Sequence, residues 1–178
     1  MMEFNEVVKN RRSIRKYDID KKVTGEQVEE LIRYAIYAPT WKNSQTARYY
    51  CALDGKGREA VANCLQGTNK DKTEGAALIV ETFVKNRSGF DREGNPDNEC
   101  GNGWGYYDLG IATQNLVLKA QEMGLGTLIM GIRDGEALRN VLSVPENEII
   151  VSVIAVGYSA EQPIMPKRKN VDDITKWF

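Results

Sequence analysis

Three arginines and a hydroxyl fall within five residues in the stretch Lys9-Asn10-Arg11-Arg12-Ser13-Ile14-Arg15-Lys16-Tyr17. Guanidinium groups at this density suit a dianionic phosphate monoester, and each charge-assisted contact contributes roughly 1.5–3 kcal/mol. In a helix Arg11 and Arg15 would share a face; in an extended chain Arg11, Ser13 and Arg15 would. The competing reading is a solvated helix end whose cations face the C-terminal dipole. A second basic stretch, Lys167-Arg168-Lys169, lies near the other end. Between them, Ala38-Pro39-Thr40-Trp41-Lys42-Asn43-Ser44-Gln45 is dense in amides and hydroxyls. Such groups can hydrogen-bond the carbonyls and nitrogens of a heteroaromatic ring, although Pro and Asn also favour a plain turn. Asn69-Lys70-Asp71-Lys72 means little on its own.

The residue types that are missing narrow the chemistry further. The chain has no histidine, which excludes Ser-His-Asp and Cys-His nucleophiles, H-E-x-x-H zinc sites and histidine-ligated haem. An organic cofactor is then the natural carrier of any hard chemistry, with no side-chain catalyst nominated. Cys51, Cys64 and Cys100 form no C-x-x-C pair, so reduced thiols in the cytoplasm are expected rather than disulfides or a metal site. A net charge of −1 argues against a general nucleic-acid binder. No apolar run approaches membrane-spanning length, and no signal peptide is expected. Gly101-Asn102-Gly103-Trp104-Gly105 lacks the dinucleotide spacing, and Gly124-Leu125-Gly126 precedes a strand instead of following one, so neither reads as a phosphate loop.

These residues need elements to position them. Phe4, Val7 and Val8 give a short first helix an apolar stripe. Thr24 opens the next helix in a capping box with Gln27, and Pro39 follows its end. Residues 47–53 read as a strand, 56–65 as a helix and 76–84 as a buried strand. A Gly/Asn/Asp-rich loop covers 86–105, and a helix over 106–123 is apolar around most of its circumference, as for a central core position or a subunit interface. A strand over 125–130, a helix over 134–142 capped by Asp134, a strand over 148–157 and a last short helix complete the order. This predicts one α+β domain over 1–178, a central mixed and mainly antiparallel sheet flanked by helices in three layers.

Taken together, Arg-Arg-Ser-Ile-Arg-Lys-Tyr, Ala-Pro-Thr-Trp-Lys-Asn-Ser-Gln, Asp108 to Asn115 followed by Gly124-Leu125-Gly126-Thr127, Val156-Gly157-Tyr158 and the late Lys/Arg stretch resemble the nitroreductase family of FMN-dependent oxidoreductases. The motifs run in family order over nearly the whole chain. The resemblance implies FMN bound at a homodimer interface, with NADH or NADPH as electron donor and a nitroaromatic, quinone or similar small molecule as acceptor. It places Arg11, Arg12, Ser13 and Arg15 on the phosphate and pyrimidine side, with Lys167 and Arg168 closing on the phosphate. Pro39, Thr40, Asn43 and Gln45 would come from the partner subunit. Asn69 and Lys72 would touch ribityl and flavin, and Leu128, Met130 and Gly131 would lie against the ring. Thr46-Ala47 departs from the family's Pro-Trp after the glutamine, and there is little room for a helical lid. Trp41, Trp104 and Tyr106 are therefore candidates for the substrate cavity. Alternatives are another flavin reaction on the same fold, such as dehydrogenation, reductive dehalogenation or flavin breakdown, or a non-catalytic FMN-binding redox sensor using Cys100.

Overall fold

The computed structural model describes residues 3–178. Helix α1 (Phe4–Asn10) is capped by reciprocal bonds between Glu3 and Glu6, and α2 (Gly25–Ala35) by the Thr24–Gln27 box. Strand β1 (Ala47–Ala52), helix α3 (Gly55–Asn63) and strand β2 (Ala77–Val84) follow. A turn-rich loop leads into α4 (Gly103–Glu122), β3 (Gly126–Met130), α5 (Gly135–Leu142) and β4 (Glu148–Gly157). The sheet order is β1-β2-β4-β3, and every pair of these strands is antiparallel. The parallel component expected of a mixed sheet is confined to one bridge, Ser13 to Thr127. No helix among the described residues is long and apolar enough to cross a membrane.

The two central strands explain the layering. Leu78 and Val80 of β2 and Val153 and Ala155 of β4 face Val61 and Leu138 of α3 and α5. The alternating residues Ala77, Ile79, Ile154 and Val156 face Leu31 of α2 and Leu116 of α4. A strand covered on both faces reads as an almost unbroken apolar run, as these do. Each fully buried large aliphatic side chain contributes about 1.5–3 kcal/mol.

Two expectations need correction, and a third element keeps its expected pattern without a cover for it. Helix α4 begins at Gly103, not 106, because Gly105 lies against Phe83: a Cβ there would stand 2.2 Å from the ring. The expected final helix is only a 3-10 turn, Val171–Asp173, on an exposed tail. The apolar stripe of α1 is mostly uncovered, since Val7 is buried but Phe4 is 71% exposed.

One buried group is ionisable. Glu81 of β2 sits beside a register shift to Thr82 and accepts hydrogen bonds from Thr113 (2.8 Å) and Ser152 (2.7 Å). Burial pushes its carboxyl up to about 7, although the two hydroxyl donors oppose that shift. Tyr49 lies opposite it across β1 and β2, with a buried hydroxyl that has no partner among the described residues. Because the folded value lies above the ordinary 4.5, the native state holds a proton that the unfolded chain releases. Stability should therefore fall as pH rises from about 4.5 to about 7 and stay low above that, by on the order of 3 kcal/mol. Glu81→Gln removes this dependence, so its melting temperature should gain on the wild type across that window and then keep pace. Thermal melts from pH 4.5 to 8.5 check this, and a constant difference would refute it.

Candidate functional site

The basic N-terminal segment takes the extended geometry. After α1 the chain runs beside β3: the Ile14 amide donates to the Thr127 carbonyl at 2.9 Å, and Tyr17 bridges to Ser159. Successive side chains then alternate. Ile14 enters the core, while Arg12 turns back on α1 and donates to the carbonyls of Lys9 (2.7 Å) and Arg11 (2.8 Å). That guanidinium holds the helix end and stands apart from a shared phosphate role with Arg11. The Arg15 amide donates to Glu161, and its guanidinium to the Ser13 carbonyl at 3.1 Å. Arg168, on the tail, comes close enough to Arg11 to act on it electrostatically. The Arg11 guanidinium is held below the ordinary arginine value first by its partial burial, then by Arg12 and Arg168. Arg168 thus adds to the field at Arg11, whereas Lys167 is simply exposed.

The far end of the β3 edge carries the second group. Asn69 donates from its side chain to the Ile132 carbonyl at 3.1 Å, and Lys72 reaches the Asn69 side-chain oxygen at 3.5 Å. From Thr127 to Ile132 the edge spans about 17 Å at strand rise, so it can serve an elongated ligand with an anion at one end. Leu128 and Met130 are 7% and 3% exposed and belong to the core. Contrary to the expectation that they lie against the ring, their side chains point into the core and do not line this edge; Ile129 and the backbone of Gly131 are the exposed parts.

The amide-rich loop sits elsewhere. Pro39 is exposed, and Thr40 precedes a 3-10 turn over Trp41–Asn43. Lys42, Asn43 and Gln45 all take positive φ (48°, 55° and 48°), a costly conformation for residues with a Cβ. Gln45 donates from its side chain to Asn43 at 3.2 Å and from its amide to Thr40 Oγ1 at 3.2 Å. A buried aspartate holds the loop. Asp108 Oδ2 accepts from the Trp41 amide (2.9 Å) and from Ser88 Oγ (2.6 Å), and Ser88 Oγ lies 2.6 Å from Ser44 Oγ. Asp97 adds the Trp41 indole (2.9 Å) and the Lys42 ammonium (2.8 Å). The ring centroids of Trp41 and Trp104 are 4.3 Å apart, and Tyr107 stands edge-on to Trp104. Tyr106 instead packs on Phe83, away from this cluster. Ser88 and Asp97 gave no signal in the sequence. Asp108 did: it is the acidic residue on the buried stripe of α4 with Leu109, Ala112 and Leu116.

Helix α4 keeps the two regions apart. The loop docks at Asp108, whereas Arg12 lines a cavity with Gln121 near the other end. Thirteen residues of helix separate these positions, about 20 Å at 1.5 Å per residue.

The sequence profile of the nitroreductase family matches residues 8–158. The chain belongs to the nitroreductase family. Among curated relatives, it is 26% identical over 167 residues to an Archaeoglobus fulgidus protein provisionally named NADH dehydrogenase/NAD(P)H nitroreductase, covering 91% of this chain and 88% of the relative. It is also 26% identical over 178 residues to the FMN reductase [NAD(P)H] of Bacillus subtilis, covering 92% and 71%. Its fold is shared with a nitroreductase family protein from Streptococcus pneumoniae, at TM-score 0.85 and 22% identity over 99% and 100% of the two chains.

In this nitroreductase chain the Asp108–Ser88 clamp generates a local prediction. Asp108→Ala leaves the Trp41 amide and the Ser88 hydroxyl without their acceptor, a loss of about 1–3 kcal/mol. Hydrogen exchange at the amides of residues 41–46 should accelerate, and less so in Ser88→Ala. Unchanged exchange in Asp108→Ala would show that the clamp does not hold the loop.

Proposed function

We propose that this protein is a homodimeric FMN flavoprotein that oxidises NADH or NADPH and reduces a nitroaromatic, quinone or similarly electron-poor acceptor. The observation that carries this reading is the extended basic segment beside Thr127, whose alternation turns Arg11, Ser13 and Arg15 to one side, with Arg168 of the tail near enough to act on Arg11. A cluster of like charges on a part-buried segment is a poor arrangement by itself and a good one around a phosphate monoester. The β3 edge supports the remainder, since its length suits ribityl and ring and its far end carries Asn69 and Lys72.

A second subunit completes the site. Asn43 and Gln45 are exposed amides, yet their loop stands about a helix length from the arginines of its own chain. A two-fold arrangement lets each protomer's loop serve the other's flavin. The uncovered apolar surface supports such pairing: Phe4, Tyr34, Tyr37 and Leu118 line a groove of about 470 Å³ between α1, α2 and α4. The tail side chains of Ile164 and Trp177 are 92% and 83% exposed. Apolar patches of this kind mark association surfaces.

The division of labour follows from the residues. FMN, when bound, supplies two-electron transfer between donor and acceptor. Arg11 and Arg168 hold its phosphate, with Ser13 beside them. Lys72, at the far end of the edge, places positive charge where negative charge develops on the ring, and Arg15 adds to the basic segment at the near end. The exposed backbone of Gly131 lets the ring approach the sheet edge closely. Asn43 and Gln45 of the partner bond the ring's heteroatoms, and Trp41 with Trp104 walls the substrate side from water. No step needs a nucleophilic side chain.

FMN should raise the melting temperature strongly by linkage, and riboflavin, which lacks the phosphate, only weakly. Arg11→Ala and Arg168→Ala should each shrink that difference, while Lys56→Ala in α3 should not. Equal stabilisation by the two ligands would mean that the basic ends do not bind phosphate. Subunit exchange tests the shared site. An Asn43→Ala protomer paired with an Arg11→Ala protomer should have one site with both defects and one with neither, hence half-occupied heterodimers. Two equally weakened sites would place Asn43 in its own subunit's site.

A further inference from the structure

The loop between β2 and α4 builds a groove that the cofactor reading does not use. Its volume is about 680 Å³, and it is lined by Lys42 and Ser44 of the amide loop and by Arg87, Phe90 and Arg92 of the loop after β2. The two loops are tied together: Asp97 binds Lys42, and Ser88 binds Ser44. The loop itself is braced. The Asp97 amide donates to the Gly89 carbonyl at 2.7 Å, Phe90 bridges to Pro96, and the Asn86 and Asn102 side chains pair at 2.9 Å.

Its charges are unevenly committed. Lys42 is paired with Asp97. Asp91 accepts from the amide (2.8 Å) and side chain (3.2 Å) of Asn95. Neither Arg87 nor Arg92 forms an ion pair or a side-chain hydrogen bond among the described residues. Two free guanidinium groups therefore face one groove beside a half-buried aromatic ring, in a chain whose net charge is −1. Guanidinium pairs of this kind suit phosphate oxygens, and Phe90 offers a face for a planar group. Glu93, on the same rim, is an acceptor for sugar hydroxyls.

We propose that this groove holds the phosphates of the reduced nicotinamide dinucleotide, with Arg87 and Arg92 as its specificity-determining residues. The proposal rests on the oxidoreductase reading above and deepens it. Lys42 and Ser44 flank Asn43, which in that reading serves the partner's flavin, so the groove opens beside the partner's ring. A dinucleotide with its phosphates there has its nicotinamide end free to reach over the loop. The groove lies apart from the β3 edge, so donor phosphates and cofactor phosphate do not compete for the same cations.

The test compares three donors on the FMN-loaded protein: NADH, NADPH and N-benzyl dihydronicotinamide, which carries the reactive ring without any phosphate. In Arg87→Ala/Arg92→Ala, kcat/KM for both dinucleotides should fall at least about tenfold, the loss of one charge-assisted contact. The value for the benzyl donor should stay within about twofold. Calorimetric titration with NADP⁺ should show the same weakening without turnover. Arg87→Glu should weaken both dinucleotides further, and Lys56→Ala should change nothing. A fall for NADPH alone would assign the groove to the extra ribose phosphate, and an equal fall for both to the shared pyrophosphate; either supports the proposal. Equal losses for all three donors, or none for any, would overturn it. If the wild type oxidises no dihydronicotinamide at all, the function reading fails instead, and unaltered NADP⁺ binding in the double variant would then remove the groove as well.

Discussion

The outer edge of β3 needs a cover. An edge strand presents unpaired amides and carbonyls, and β3 is terminal in the sheet. The chain covers its first part with its own N-terminal segment, through Ser13 and Ile14 at Thr127, and leaves the stretch towards Ile132 open. An extended segment alternates its side chains, so seating Ile14 in the core turns Arg11, Ser13 and Arg15 the other way. Two glycines make room for this closure. Gly126 and Gly157 face each other across β3 and β4. A Cβ on the first would lie 2.5 Å from Ile14, and on the second 2.7 Å from the ring of Tyr17. The Tyr17 hydroxyl then donates to the Ile14 carbonyl at 2.9 Å. Covering the edge and presenting the arginines are one structural act.

The same closure recruits the C-terminus. Tyr17 bridges to Ser159, and the Ala160 amide donates to Lys16, which starts the tail beside the N-terminal segment and lets Arg168 approach Arg11. Arg168 there adds to the positive field at Arg11, in a protein whose charges otherwise almost cancel. Like charges near a protein surface repel by a few kcal/mol at most, less where water screens them. A dianion bound there, as the proposed function has it, would reverse the sign of that interaction and couple order in both chain ends to the ligand.

Much of this was legible in the residues. The apolar runs of β2 and β4, the Thr24–Gln27 box and the Asp134 cap gave elements close to those observed, and the family motifs drew attention to the basic segment and the amide loop. What was hidden depended on tertiary contact. Gly103 and Gly105 look like helix breakers, yet α4 includes both because Gly105 must pass close to Phe83. Leu128 and Met130 occupy the right strand, but its orientation, settled only by packing against α3 and α5, points them inward. Arg12 sits in the basic cluster, but the alternation of an extended chain sends it back to α1. Ser88 and Asp97, from a loop that composition describes only as polar, prove to be the fasteners of the amide loop. Side-chain direction is the common thread, and it is the property that spacing alone leaves open.

The amide loop shows why such fasteners are needed. Its residues at positive φ are Lys42, Asn43 and Gln45. Asparagine tolerates the left-handed region, but lysine and glutamine do not, and each such residue costs of order 1–3 kcal/mol. Glycine at 42 and 45 would relieve the backbone. It would also remove the ammonium that joins Asp97 and the amide that braces Asn43. The conformation is therefore kept for its side chains and must be held from outside. A carboxylate buried at the start of a long, well-packed helix is suited to that task, because α4 cannot yield without disturbing the core beneath it. Asp108 thus transfers the rigidity of the sheet–helix core to a turn that would relax if left alone. In the proposed shared site that rigidity would be delivered across the subunit boundary, to a ring whose phosphate the other protomer would hold.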